Sequence, residues 1–273
     1  MVILPIKEND LDFVVSIAAP DFEDKERLKQ LVKEDEAFRR GILGNKEVFN
    51  EVLNAEAFNM KVSPELFFEI LLRRAYYELK ESSHTMEKFL TQRVPVFDSK
   101  QVVKFLEKEV VVQYLAGLLF SFMRTESFVF KKQIKKGVWR KIRVSDMDID
   151  TLTTLSWGVD DDLKFYFYKR IADVCLFIPG MFPEHTSSQA LYPISNKSNP
   201  VFTACRKRRS VQDFENEGKK YYRLASEHEL AETRGLDMVL SELVKSFTPA
   251  RKALNYISDN YLYLNKSRIF NQN

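Results

Sequence analysis

The residues most able to do chemistry together are cationic. Lys131, Lys132, Lys135, Lys136, Arg140, Lys141 and Arg143 fall within thirteen residues that contain no acid, and Trp139 lies among them. Cations that neutralise phosphates, beside an aromatic ring on which a base can stack, are the chemistry of a nucleic-acid surface. If all seven met phosphates of a duplex, the logarithm of affinity would fall with log salt at a slope of about −6. The competing structural reading is a solvated hairpin whose lysines guard an edge strand against aggregation. A second basic run, Arg206, Lys207, Arg208 and Arg209, could extend that patch or be a charged loop and helix start. Four adjacent cations cannot share one helical face.

Metal and acid–base chemistry is less well supplied. Glu81 and His84 match half of the carboxylate-bridged di-iron pattern, in which two helices each carry Glu-x-x-His. The residues three before His185 and His228 are Phe182 and Ala225, so the second half is missing. His228 stands among Glu227, Glu229 and Glu232, which an exposed charged helix end also explains. Cys175, His185 and Cys205 have no zinc spacing, and Cys175 reads as core packing rather than as a nucleophile. Asp160, Asp161 and Asp162 suit a helix N-terminus better than a divalent cation. The 8 glycines include no pair two apart, so every GxG-type phosphate loop is missing, as is a GxSxG elbow. Nothing in the pattern calls for a cofactor.

The elements that must position these residues read as helices. Asp160 to Phe182 is the most densely apolar and aromatic stretch, and such a segment must be buried on several sides. Lys164, Lys169, Arg170 and Asp173 form its one polar strip, and Pro179-Gly180 is expected to stop it. Upstream, Asp10 is expected to cap a helix through Ala19, and Asp24 to Arg40 reads as one amphipathic helix. Asn45 to Asn54 is a short helix, and Ser63-Pro64 opens one running to about Glu81. Val94-Pro95 breaks the chain. Asp98 and Gln101 resemble a capping box before a single long helix, Ser99 to about Met123.

Phe128 to Val144 then alternates with period two on either side of Lys135-Lys136-Gly137, which is a hairpin signal with Gly137 in the left-handed position. The expected register places Phe128, Phe130, Val138, Ile142 and Val144 inward, with Val129, Lys131, Gln133, Trp139, Lys141 and Arg143 outward. Asp146 to Asp150 caps a helix over Thr151 to Trp157. Pro183 to Pro200 reads as a loop or linker. Helices are expected at Val211 to Leu230, at Leu236 to Phe247, and from Thr248 onward.

Composition narrows the class. The chain has 273 residues, 22 Phe and 11 Tyr, enough to bury a large core without staples. A net charge of +3 demands neither nucleic acid nor membrane, so any such partner must be met by a local cluster. Two cysteines without a CxxC fit a reduced, cytoplasmic chain. Val110 to Met123, the longest apolar run, falls short of the ~20 residues a membrane span needs.

Three blocks carry a resemblance. Ile171 to Glu184 (IADVCLFIPGMFPE), Gly218 to Glu227 (GKKYYRLASE) and Val62 to Glu81 resemble a pattern in a family of bacterial helical proteins to which no activity is attached. That resemblance implies a bacterial cytoplasmic helical protein and brings no site residues.

The expected object is therefore mainly α, a multi-helix bundle with one β-hairpin insertion. Residues 1–182 form the core domain including the hairpin at 128–144. Residues 183–200 are a loop or linker, and 201–273 are a helical region packed on the core as one domain. The expected function is non-enzymatic: an interaction or regulatory protein that binds a protein partner, itself included. The alternative is nucleic-acid binding through Lys131–Arg143, and a weaker one is a metal-dependent enzyme around Glu81 and His84.

Overall fold

The structure, a computed structural model, describes residues 6–54, 61–89, 92–124, 127–135, 138–186 and 209–270. For 88, 89, 127, 128, 130–135, 138–144 and 185 that description covers the backbone alone. Fourteen α-helices dominate it, with two two-stranded sheets. The mainly α bundle with a hairpin near 128–144 is thus what the chain forms. A second short ladder, β1 (Thr85–Phe89) with β2 (Gln92–Val96), was not foreseen, because Pro95 reads as a breaker. In a two-stranded ladder every strand is an edge, where proline's missing N–H is tolerated.

The chain groups into two compact units. Unit 1 comprises residues 1–87, 92–120 and 252–263; unit 2 comprises 88–91, 121–251 and 264–273. Along the chain the unit changes at 87/88, 91/92, 120/121, 251/252 and 263/264. Residues 187–208, which include most of the 183–200 stretch, lie outside the described residues.

Unit 1 is built on α1 (Glu8–Ala18), α2 (Lys25–Glu34), α3 (Glu36–Leu43), α4 (Lys46–Leu53), α5 (Pro64–Glu81), α6 (Ser99–Leu106) and α7 (Glu109–Ser121, all but its last residue). Helix α5 is its axis: Leu66, Phe68, Ile70, Leu71, Leu72, Ala75 and Leu79 are all buried. Pro64 sits in its first turn as expected, yet Ser63 does not cap it. Ser63 instead donates its N–H (2.9 Å) and its hydroxyl (2.5 Å) to the Asp10 carboxylate. Asp10 is therefore a tertiary clasp inside the first turn of α1, whose N-cap is Lys7. The single helix expected over Asp24–Arg40 is broken at Asp35, whose carboxylate accepts from Phe38 N–H at 2.8 Å and so starts α3. The helix expected over Ser99–Met123 is likewise two, α6 and α7, parted at Glu107-Lys108. Asp98 does not cap α6, because its carboxylate accepts from the Thr85 hydroxyl (2.6 Å) and pairs with Lys252.

Unit 2 has β3 (Ser127–Lys135), β4 (Val138–Ser145), α8 (Ile149–Ser156), α9 (Asp161–Met181), α10 (Val211–Ser226), α11 (Glu229–Thr233), α12 (Asp237–Lys245) and α14 (Lys266–Phe270). Helix α13 (Phe247–Asn260) contributes Phe247–Arg251 to unit 2 and the remainder to unit 1. Thr248 does not cap it; its hydroxyl donates to Glu215 at 2.8 Å.

Helix α9 is the core of unit 2. Every residue from Ile171 to Met181 is buried, while Leu163 and Tyr166 in its first turns are exposed. Phe177 stacks on Phe122 (centroids 4.1 Å apart) and meets Phe182 and Phe270 edge-on at 5.7 and 5.1 Å. Each ring so buried contributes roughly 1.5–3 kcal/mol of transfer free energy. Contrary to expectation, the helix runs through Pro179-Gly180 and closes with Phe182 N–H donating to Ile178 O at 2.8 Å. A proline this near the C-terminus forfeits one ladder bond, and burial of Ile178, Met181 and Phe182 outweighs the loss.

Helix α10 lies against α9 at Gly218. A Cβ there would stand 2.3 Å from the Phe247 ring and 3.1 Å from Cys175 Cβ, so only glycine permits this approach. The polar strip of α9 is also partly core. Asp173, 2% exposed, accepts from the Tyr222 hydroxyl (2.8 Å) and from Lys169 (2.7 Å).

Candidate nucleic-acid interface

Alternation of apolar and cationic residues makes β3 and β4 strands, and their pairing register sorts the cations by face. Antiparallel partners are Phe128↔Val144, Val129↔Arg143, Phe130↔Ile142, Lys131↔Lys141, Lys132↔Arg140, Gln133↔Trp139 and Lys135↔Val138. Successive residues of a strand alternate between faces. One face therefore carries Phe128, Phe130, Lys132, Arg140, Ile142 and Val144. The other carries Val129, Lys131, Gln133, Trp139, Lys141 and Arg143. Val129, on the second face, is 54% exposed. The register shifts between Gln133 and Lys135. Lys136 and Gly137, with the expected left-handed turn, lie outside the described residues.

Two of the eight pairs in this ladder set cation opposite cation, Lys131↔Lys141 on one face and Lys132↔Arg140 on the other. Directly opposed Cα atoms in such a ladder are about 4.5–5.5 Å apart, and like charges there are destabilising by some tenths of a kcal/mol. Residues 128–144 contain no acid, so the hairpin has no internal counter-charge.

The second basic run divides. Arg206, Lys207 and Arg208 lie outside the described residues. Arg209 is an internal clasp: its side chain is 5% exposed, donating to Glu217 (2.7 Å) and to Asp150 (2.5 Å). Burial opposes its charge, but the two carboxylates outweigh burial and raise its pKa above the usual arginine value. With its charge met twice over, Arg209 ties α8 to α10 and has little to offer a phosphate. The polar cleft around it, lined by Asp150, Thr153, Asp213, Glu217 and Lys220, carries both signs of charge and no evident selectivity.

The metal candidates Glu81 and His84 do not share a helix. Helix α5 ends at Glu81, and Ser82 is already extended, so His84 is not one helical turn above the carboxylate. His84 Nδ1 instead lies 3.4 Å from the Ser83 hydroxyl. Among the described residues, no group of three His, Cys, Asp or Glu side chains could hold a metal ion. His228 caps α11: its Nδ1 accepts from Leu230 N–H at 3.2 Å, which leaves Nε2 protonated to donate to Asp161 O at 3.0 Å. Asp161 holds Lys164 at 3.0 Å. Cys175 is buried, while Cys205 and the side chain of His185 lie outside the described residues.

One charged cluster escaped the sequence reading. In unit 1, Arg39 meets Glu69 through two parallel bonds of 2.9 and 2.7 Å. Arg73 donates to Glu69 at 2.9 and 2.6 Å and to Glu109, and Gln113 donates to Glu109 at 3.0 Å. Two cations and two anions cancel, and none of the four is more than 6% exposed, so no substrate reaches them. Glu109 Oε2 is the one buried side-chain oxygen without a hydrogen-bond partner among the described residues. The signal in the sequence was Glu69 and Arg73, four apart on an otherwise apolar helix.

No helix among the described residues is long and apolar enough to cross a membrane. No protein-family model, curated protein or solved structure matches this chain.

Proposed function

We propose that this chain is a non-enzymatic cytoplasmic binding protein, a helical scaffold that presents the β3–β4 hairpin to the phosphate backbone of a nucleic acid. The observation that carries the reading is the cation-on-cation register, Lys131↔Lys141 and Lys132↔Arg140, in a segment without acids. A hairpin selected for its own stability would pair opposite charges at these positions. Kinship with the bacterial helical family that Ile171–Glu184 and Gly218–Glu227 resemble belongs to the same proposal.

The test is fluorescence anisotropy with labelled DNA and RNA oligonucleotides across a salt series. The expected result is binding that weakens linearly in log salt. Lys141→Glu abolishes that binding. The same substitution creates an opposite-charge pair with Lys131 and stabilises the fold by about 0.2–1 kcal/mol. Loss of binding with a gain in stability separates a binding surface from a folding defect. No binding at low salt, or binding indifferent to salt and to Lys141→Glu, overturns the reading. The chain would then be a protein-binding scaffold, with Trp157 and Met238 (each 77% exposed) among the surface groups available to a partner or a second copy.

A further inference from the structure

We infer that the hairpin face carrying Trp139 takes single-stranded rather than duplex nucleic acid, an inference that rests on the function proposed above. The register sets three residue pairs along this face: Gln133↔Trp139 nearest the turn, then Lys131↔Lys141, then Val129↔Arg143. Neighbouring pairs are two residues apart, about 6.6 Å along the strands. That is the scale of the step between consecutive phosphates in an extended strand. By register, Lys141 and Arg143 fall on one strand of this face and Lys131 on the other, with Trp139 at the position nearest the turn.

Duplex binding makes poor use of that indole. A two-stranded ribbon fits a major groove, but the groove presents base edges, and those are read by hydrogen-bonding side chains. Of the six residues on this face, Gln133 is the one uncharged amide. The π-faces of paired bases are hidden in the stack, whereas unpaired bases expose theirs to an aromatic side chain. A cation row ending in an indole therefore suits a strand whose phosphates follow the lysines while one base lies on the ring. Lys132 and Arg140 fall on the opposite face and do not join the contact. Three phosphate contacts on a single strand give a log–log salt slope of about −2, well below the value for all seven cations.

The experiment uses the full chain carrying Trp157→Phe, which leaves Trp139 as the sole tryptophan. It is titrated with oligo-dT, with a mixed-sequence single strand, and with that strand annealed to its complement, all at matched ionic strength. The expected result is single strands binding at least ~10-fold tighter than the duplex, with quenching of the indole fluorescence. In the parent chain, Trp139→Ala is expected to weaken single-strand binding by roughly 5- to 150-fold and to leave duplex binding unchanged. Trp139→Phe is expected to keep most of the affinity, because a ring remains. Far-ultraviolet circular dichroism checks that each variant is folded.

Equal affinity for duplex and single strand overturns the inference. So does Trp139→Ala without effect on single strands while Lys141→Glu abolishes binding; the broader function survives both. No binding to any of the three nucleic acids overturns function and inference together.

Discussion

Replacing Glu69 by leucine removes the carboxylate at the centre of the buried cluster in unit 1. It accepts four hydrogen bonds, two from Arg39 (2.9 and 2.7 Å) and two from Arg73 (2.9 and 2.6 Å). Without it two guanidiniums share the single carboxylate of Glu109, and the cluster goes from neutral to a net charge of +1. Arg39 is 3% and Arg73 1% exposed, so water cannot supply the missing counter-charge. Removing one partner from a buried ion pair typically costs about 3–5 kcal/mol, and we expect Glu69→Leu to fall in that range. The revealing variant is the double one. Arg39→Leu with Glu69→Leu leaves Arg73 facing Glu109, neutral again, with two apolar side chains in place of a desolvated pair. Such exchanges are often close to neutral, so the double variant is expected within about 1–2 kcal/mol of the parent. The assay is urea unfolding followed by circular dichroism, with the slope held to its parent value so that only stability is compared. If Glu69→Leu costs less than about 1 kcal/mol, or the double variant costs the sum of the two single ones, uncompensated charge is not the physical issue and the argument fails.

Two further outcomes follow from the packing and the titration. Gly218→Ala gains up to about 1 kcal/mol of helix propensity, but its methyl meets the Phe247 ring at 2.3 Å. We expect net destabilisation of about 1–3 kcal/mol by thermal or urea unfolding; a variant as stable as the parent refutes the tight seat of Gly218 against Phe247. For pH, burial alone would raise Glu69, yet Arg73 and Arg39 outweigh it and hold the carboxyl below its ordinary 4.5. Burial likewise raises Glu78, but the Tyr261 hydroxyl (2.6 Å), Arg74 (2.8 Å) and the Tyr256 hydroxyl (2.9 Å) bring it below 4.5. A carboxyl whose pKa is depressed by folding contributes stability that is whole above its unfolded value and lost as pH falls through the folded one. Stability should therefore decline below about pH 4.5, and Glu78→Gln should flatten that decline. An acid limb equally steep in the variant excludes Glu78 as a source of it.

Much of the helical frame was legible because local physics suffices to specify it. Pro64 marked the start of α5, and Asn45 marked α4 by accepting from Glu47 N–H at 2.7 Å and Val48 N–H at 3.3 Å. Period-two alternation found β3 and β4 and grouped their faces as the backbone register does. The sequence also identified Lys131, Lys141, Arg143 and Trp139 as companions on one face, since a strand needs no tertiary information to decide that.

What the sequence left open turns on partners far along the chain. Asp10, Ser63, Asp98 and Thr248 all look like caps, and each hydroxyl or carboxylate is spent instead on a group from another element. A cap contributes about 1 kcal/mol, so a buried tertiary bond competes with it readily. Arg209 read as the end of a basic run, and only the fold brings Asp150 from α8 and Glu217 from α10 to its guanidinium. The same holds for Pro179, where burial around α9 overrides a local stop signal. Composition and periodicity thus marked most of the helical segments, the strands β3 and β4, and which residues of those strands share a face. Tertiary structure alone decided which charges are spent inside, because Coulomb and desolvation energies depend on distance in space rather than along the chain.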